Sequence, residues 1–267
     1  MAGWLSDENA LLRIDTVAQR LATARRALFI TGAGLSADSG LPTYRGVGGI
    51  YDDGVTEEGI PFEVALSGDM FRRRPELTWK HIARIEAATR GASFNRGHEV
   101  LAAFEASLAH SCVLTQNVDG FHQRAGSQNV IEVHGNVHTL RCTSCEQVER
   151  VADFSQLREI PPACAHCGEL IRPDVVLFGE MLPFQALDHL TEETTRGFDV
   201  VMSIGTTSYF PYIVEPVLNA REQGATTVEI NPAETEISDA VDFRLPGRAA
   251  TVLEALWQRF QHVHGHG

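Results

Sequence analysis

Lysine is almost missing from this chain. Lys80 is the single one in 267 residues, arginine supplies the rest of the 22 basic side chains, and we read that imbalance as coding bias. Against 35 acids the bases leave a formal charge of -13, so the basic patch of a phosphate-backbone binder is lacking and no direct nucleic-acid partner is expected. The same charge suits a positively charged partner, such as a lysine-rich peptide, by long-range attraction, and it serves solubility equally well. Long apolar runs are lacking too. No stretch nears the roughly 20 residues that cross a bilayer, and Met1 to Glu8 has neither a basic start nor an apolar continuation. Neither a membrane partner nor a signal peptide is expected.

Cysteine is scarce, but four of the five are patterned. Cys142 and Cys145, then Cys164 and Cys167, form two C-x-x-C pairs with 18 residues between them. Each pair can chelate on a tight turn, and two turns can share one tetrahedral zinc ion, which then has no open position and serves structure. His166, between two of these cysteines, is read as a spectator. Cys112 lies in an apolar run and reads as a small core residue. Reduced thiols point to an intracellular, cytoplasmic setting. The histidines of the tail, His262, His264 and His266, read as a frayed terminus.

Helical periodicity over about 8–25 leads into a strand at 27–31, and further short β-branched runs follow at 112–115, 130–133, 200–204, 227–230 and 241–245. Helical stretches at about 75–90, 96–107, 183–195, 212–223 and 250–260 separate most of them. Such alternation predicts an α/β fold, a parallel sheet with helices on both faces. Two segments break the rhythm. Residues 141–175 carry the cysteines and form a small zinc module, and residues 46–95 form a mostly helical insertion.

Polar and glycine-rich motifs recur just after the strands. Gly32-Ala33-Gly34-Leu35-Ser36-Ala37-Asp38 follows the first, where glycines let the main chain turn and approach a pyrophosphate; a simple packing turn is the alternative. The loop lacks the G-K-[ST] ending of a P-loop, and no strand ending in an acid follows about 20 residues on, which weighs against ATP hydrolysis and hydride transfer. Arg45 can reach a phosphate or a ribose, or be a surface charge. Gln116, Asn117 and Asp119 follow the second strand and can hold ribose hydroxyls and a carboxamide, although Asp119 can instead cap the helix starting near Phe121. His134 ends the run at 130–133, and its imidazole can take a proton near neutral pH. Gly205, Thr206, Thr207 and Asn231 stand after later strands, fit for a ribose or phosphate or for ordinary turns.

In order and spacing these pieces resemble the sirtuins. GAGLSADSGLPTYRG (32–46) is similar to the first family motif, with Tyr44 where Phe is usual; TQNVDGFHQRAG (115–126) is similar to the second, with Val118 for the commoner Ile. VHGN (133–136), the cysteine pairs, RPDVVLFGE (172–180), GTTS (205–208) and IN (230–231) complete the series, so the likeness runs from about 27 to 250. The resemblance implies a Rossmann-type domain (1–45, 96–140 and 176–267) and a small domain made of the insertion (46–95) and the zinc module (141–175). It implies NAD as co-substrate, one structural zinc, and acylated lysine-containing proteins or peptides as partners. By similarity Gly32, Ala33, Gly34, Ser36, Asp38, Thr43, Tyr44 and Arg45 hold NAD's phosphates and nicotinamide ribose. Gln116, Asn117 and Asp119 line the ribose and nicotinamide pocket, the last two in catalytic positions, and Gly205, Thr206, Thr207 and Asn231 hold the adenosine half. Val176, Phe178 and Gly179 line the acyl-lysine tunnel and pair with the peptide as an added strand.

The reaction the resemblance implies is NAD-dependent lysine deacetylation, with His134 as general base toward a ribose hydroxyl and O-acyl-ADP-ribose as product. The branch removing succinyl and malonyl groups carries a Tyr-x-x-Arg pair, whose positions fall here on Ile82 and Ile85, with Arg84 out of register. An acidic acyl group would leave its charge buried and unpaired there, so acetyl or another uncharged acyl group is favoured. Protein ADP-ribosylation or NAD hydrolysis in the same cleft is the alternative. A non-catalytic NAD-sensing module is disfavoured, since it needs no general base.

Overall fold

The computed structural model describes residues 8–43 and 54–264. Its centre is a six-stranded, all-parallel sheet in the order β3-β2-β1-β7-β8-β9, made of β1 (Arg26–Thr31), β2 (His110–Thr115), β3 (Val130–Glu132), β7 (Val200–Ile204), β8 (Thr226–Ile230) and β9 (Phe243–Leu245). Successive side chains of a strand face opposite ways. Ala27 and Phe29 of β1, with Met202 and Val228, therefore meet α1 (Glu8–Thr23), α6 (Arg96–Ser107) and α10 (Ala249–His264) on one face. Leu28 and Ile30, with Cys112, Leu114 and Val201, meet α8 (Phe184–Thr195) and α9 (Pro211–Glu222) on the other. Cys112 is thus the core residue its surroundings predict.

A second, three-stranded antiparallel sheet pairs β4 (Gly135–Cys142) with β5 (Val148–Arg150) and β6 (Ile171–Val175). It starts at Gly135, ahead of the boundary at 141 expected from the cysteines alone, because residues 135–136 already pair with 174–175. A glycine is required there: Gly135 has a φ of +75°, and a Cβ would lie 1.9 Å from the Asp174 carbonyl oxygen. The insertion supplies α3 (Phe62–Ala65), α4 (Gly68–Arg73) and α5 (Pro75–Thr89), with Pro75 fitting the first turn of α5. Insertion and small sheet share one core, in which Leu66, Phe71, Trp79 and Ile82 pack with Leu140, Phe154 and Ile171. The fully buried Trp79 also donates its indole N–H to the Ile171 carbonyl at 2.9 Å. On the surface above, Lys80 pairs with Glu58 at 2.5 Å and Glu57 at 3.3 Å, and Arg84 turns away to Glu57 at 2.6 Å.

Candidate functional site

From β1 the chain steps to β2 and β3 on one side and returns to β7 on the other, so the order reverses between β1 and β7. In open parallel sheets that reversal leaves a crevice beyond the carboxyl ends of the strands. The short helix α2 (Ala33–Ser36) begins there and rests directly on the loop after β7. The Gly34 N–H donates to the Gly205 carbonyl at 2.8 Å, and a Cβ on Gly34 would fall 2.7 Å from the Gly205 Cα. The two loops can only approach so closely without side chains. The Gln116 amide joins them by donating to Thr206 Oγ1 at 2.8 Å, and Asn231 Nδ2 donates to the Thr206 carbonyl at 2.9 Å.

A cavity of about 850 Å³ opens at this point. Gly32, Ala33, Gly34, Asp38, Thr43, Gln116, Asn117, His134, Val176, Phe178, Gly179, Gly205, Thr206, Thr207 and Asn231 all line it. Ser36 and Asp119 do not; they line an adjoining hollow of about 650 Å³ that shares Ala33, Asn117 and Val118 with the first. Tyr44 and Arg45 lie outside the described residues.

Asn117 stands between the two spaces, nearly buried, its amide donating to the Gly32 carbonyl at 3.0 Å and to Ser36 Oγ at 3.1 Å. Ser36 in turn donates to Asp119 at 2.6 Å, while the other Asp119 oxygen accepts the Phe121 N–H at 3.0 Å. The N-cap position of α7 (Phe121–Ala125) is Gly120, and Asp119, one residue ahead of it, receives the first N–H of the helix and ends a polar chain from the glycine loop. Its desolvation raises the carboxyl above the usual range, against the pull of those two bonds. Asp38 lines the cavity, but its oxygens are taken by Arg248 at 2.5 Å and by the Ala250 N–H at 2.8 Å in the first turn of α10.

His134 follows β3 and precedes the positive-φ Gly135. Its Nδ1 lies 3.0 Å from the Gln116 carbonyl, which only accepts, so the ring proton sits on Nδ1 and Nε2 carries the lone pair. Burial pushes the imidazole below its ordinary pKa, opposed by that bond to Gln116. The ring is thus neutral near pH 7. Nε2 accepts from the Tyr212 hydroxyl at 2.7 Å.

The far wall is apolar: Leu66, Ile82, Ile85, Val118, Val137 and Leu177 line it. Ile82 and Ile85, the positions predicted to face the acyl group, thus face this cavity. The loop 176–179 is fixed at both ends. Val176 N–H donates to the His134 carbonyl at 2.9 Å, and Phe178 exchanges main-chain bonds of 3.0 Å with Leu66 and Gly68. Both main-chain groups of Phe178 are thereby occupied, so the pairing expected of Phe178 with an added peptide strand is not open to it in this conformation. Arg172, only 7% exposed, grips Glu180 with two bonds of 2.7 and 2.9 Å and closes the loop from behind.

The four patterned cysteines converge. Their sulfurs lie within 4.8 Å of one another, with separations of 3.5, 3.6 and 3.7 Å between neighbours. A tetrahedron with zinc–sulfur bonds of about 2.3 Å has edges of about 3.8 Å, so the set fits one zinc ion with all four positions filled. Main-chain N–H groups of Ser144 and Cys145 point at Cys142 Sγ, both at 3.4 Å, as a thiolate requires. His166 is exposed and outside the cluster.

A profile of the Sir2 family matches residues 32–210. The chain belongs to the Sir2 family. An NAD-dependent protein deacylase 2 from Pseudomonas aeruginosa is 51% identical over 253 residues, covering 94% of this chain and 97% of that protein. A solved Sir2 homologue in complex with NAD aligns at a TM-score of 0.84 with 34% identity, over 94% of each chain. A Sir2 structure holding a deacetylated peptide and 3'-O-acetyl ADP-ribose aligns at 0.81 with 29% identity, over 94% of this chain and 98% of that one. The Sir2 motifs singled out in the sequence, those at 44–46 aside, gather at one end of the parallel sheet or in the small sheet beside it.

Two cavity residues escape a motif reading of this Sir2 chain. Arg248, a cation beside the glycine loop, has no local signal. Tyr212 has one: the chain's four tyrosines are few, and two of them stand in the run Tyr209-Phe210-Pro211-Tyr212 directly after GTTS.

Proposed function

We propose that this Sir2-family chain is an NAD-dependent protein lysine deacylase, passing an acyl group from lysine to ADP-ribose with release of nicotinamide and O-acyl-ADP-ribose. One observation carries the reading. His134, its tautomer fixed by the Gln116 carbonyl and its Nε2 lone pair turned to the Tyr212 hydroxyl, lines the same cavity as the glycine loop, Thr206 and Tyr212. When bound, NAD supplies an electrophilic ribose carbon with nicotinamide as its leaving group. Ala33, Gly34 and Thr43 receive the phosphates and the near ribose, continued by Tyr44 and Arg45. Gly205, Thr206, Thr207 and Asn231 receive the adenosine half. Asn117 and Asp119 orient the carboxamide end, held rigid through Ser36. His134 Nε2 takes the proton of a ribose hydroxyl, a task suited to an imidazole that is neutral at pH 7.

Val176, Phe178 and Gly179 form the mouth through which the acyl-lysine enters, and Leu66, Ile82 and Ile85 exclude water around the acyl group. That wall offers no cation, so uncharged acyl groups are preferred over succinyl or malonyl. The zinc, filled by Cys142, Cys145, Cys164 and Cys167, fixes the small sheet. The shared core of insertion and small sheet supports treating 46–95 with 141–175 as one small domain against 1–45, 96–140 and 176–267, with the join drawn back toward Gly135. The net charge of -13 favours lysine-bearing proteins over nucleic acid, and reduced zinc-binding thiols suit the cytoplasm.

The test incubates the protein with NAD and acetyl-, butyryl- or succinyl-lysine peptides. We expect nicotinamide in step with consumption of the uncharged acyl peptides, and a loss of about 100-fold or more in His134→Ala. Free ADP-ribose or ADP-ribosylated protein as the main product would replace this reading with NAD hydrolysis or ADP-ribosyl transfer.

A further inference from the structure

The lone pair that His134 needs as a base is already in use. Tyr212 stands in the first turn of α9, which Pro211 starts. Its ring lies flat on Phe210, with centroids 5.3 Å apart and planes at 11°. The imidazole meets both rings edge-on, at 6.3 Å from Phe210 and 6.0 Å from Tyr212. The 2.7 Å bond from the Tyr212 hydroxyl to Nε2 therefore belongs to a packed arrangement. Nε2 has a single lone pair and cannot accept from the phenol and from a ribose hydroxyl at once.

We propose that Tyr212 is a positioning residue that caps the base in the free enzyme and is displaced from Nε2 by the ribose hydroxyl when the dinucleotide enters. The cap holds the imidazole in its working tautomer and rotamer while the cavity is empty, at the expense of affinity for the nucleotide. Tyr212 suits the part. Its hydroxyl stays protonated, with burial pushing its pKa up to about 12, so it remains a donor throughout the range in which the enzyme would work. Its ring is half-buried and borders the cavity, so it has space to withdraw.

This rests on His134 being the base, and the test separates the two ideas. Tyr212→Phe keeps the stack on Phe210 and removes only the hydroxyl. With one hydrogen bond no longer opposing the nucleotide, binding of ADP-ribose, which cannot turn over, should tighten about two- to tenfold. In turnover the gain should fall on KM for NAD rather than on kcat. In the unaltered protein with ¹⁵N-labelled histidine, the His134 Nε2 signal should move on addition of ADP-ribose, and before addition it should differ between the parent and Tyr212→Phe. Unchanged or weaker ADP-ribose binding in the variant would overturn the proposal. So would a tenfold fall in kcat, which would place the hydroxyl in the proton path itself. Neither binding nor the ¹⁵N signal depends on catalysis, so an active His134→Ala would remove the base assignment without deciding these readings.

Discussion

Arg172 and Glu180 show how single residues hold the mouth of the cavity. The guanidinium is nearly buried, bonds both oxygens of Glu180, donates to the Val175 carbonyl at 2.7 Å and lies 5.0 Å from the centre of the Phe71 ring. Removing one partner strands the other charge away from water. Glu180→Ala is expected to lose about 3–5 kcal/mol of stability in denaturant titration, and a loss under 1 kcal/mol would show that water already solvates Arg172. Both residues belong to a motif readable in the sequence, yet their pairing is not. Motifs were legible because a ligand-binding loop after a parallel strand needs glycine, amide and hydroxyl side chains within a few positions. The bond from Tyr212 to His134 joins positions 78 apart, and that of Arg248 to Asp38 joins positions 210 apart. Only the folded topology brings these together, so no spacing rule could announce them.

Behind the glycine loop, α6 and α7 bring two buried histidines face to edge, His98 and His122, with centroids 5.0 Å apart. His98 Nδ1 accepts the Asn95 N–H at 3.2 Å within the capping box that starts α6, and His122 Nε2 meets the Thr31 hydroxyl at 2.9 Å. Desolvation drives His98 down to about 4 and His122 well below its ordinary value, the latter also repelled by His98. The unfolded chain binds protons on both near pH 6.5, while the folded chain refuses them. Stability is therefore full above about pH 6.5 and falls as the pH drops toward about 4, by up to about 1.4 kcal/mol per unit for each histidine. His98→Gln should shallow that slope by about one proton in urea titrations across the interval; an equal slope would clear His98 of the effect. Element positions themselves were readable from apolar periodicity, within a few residues at most ends. The small sheet was not, because β5 is an exposed three-residue strand with no alternation to detect.

At the scale of the molecule, the cysteine cluster, the small sheet and the helical insertion stand or fall together. Cys142 and Cys164 belong to the same core as Trp79, Ile82 and Leu177, and Ile82 and Leu177 also wall the cavity. Removing the metal with a strong chelator should loosen β4–β6, red-shift the emission of the otherwise fully buried Trp79, and abolish most deacylation. The parallel sheet, with its own two cores, should keep a cooperative thermal transition. An apo-protein with unchanged emission and full activity would confine the metal to the surface turns.

The lone amine described on α5 has a corollary for the enzyme's own fate. Hydrogen bonding to Glu58 and Glu57 raises the affinity of Lys80 for its proton, Glu58 foremost. An ammonium has no electron pair to offer an activated ester or thioester. The chain has one side-chain amine to offer an acyl donor, and two carboxylates hold it toward its protonated, less nucleophilic form.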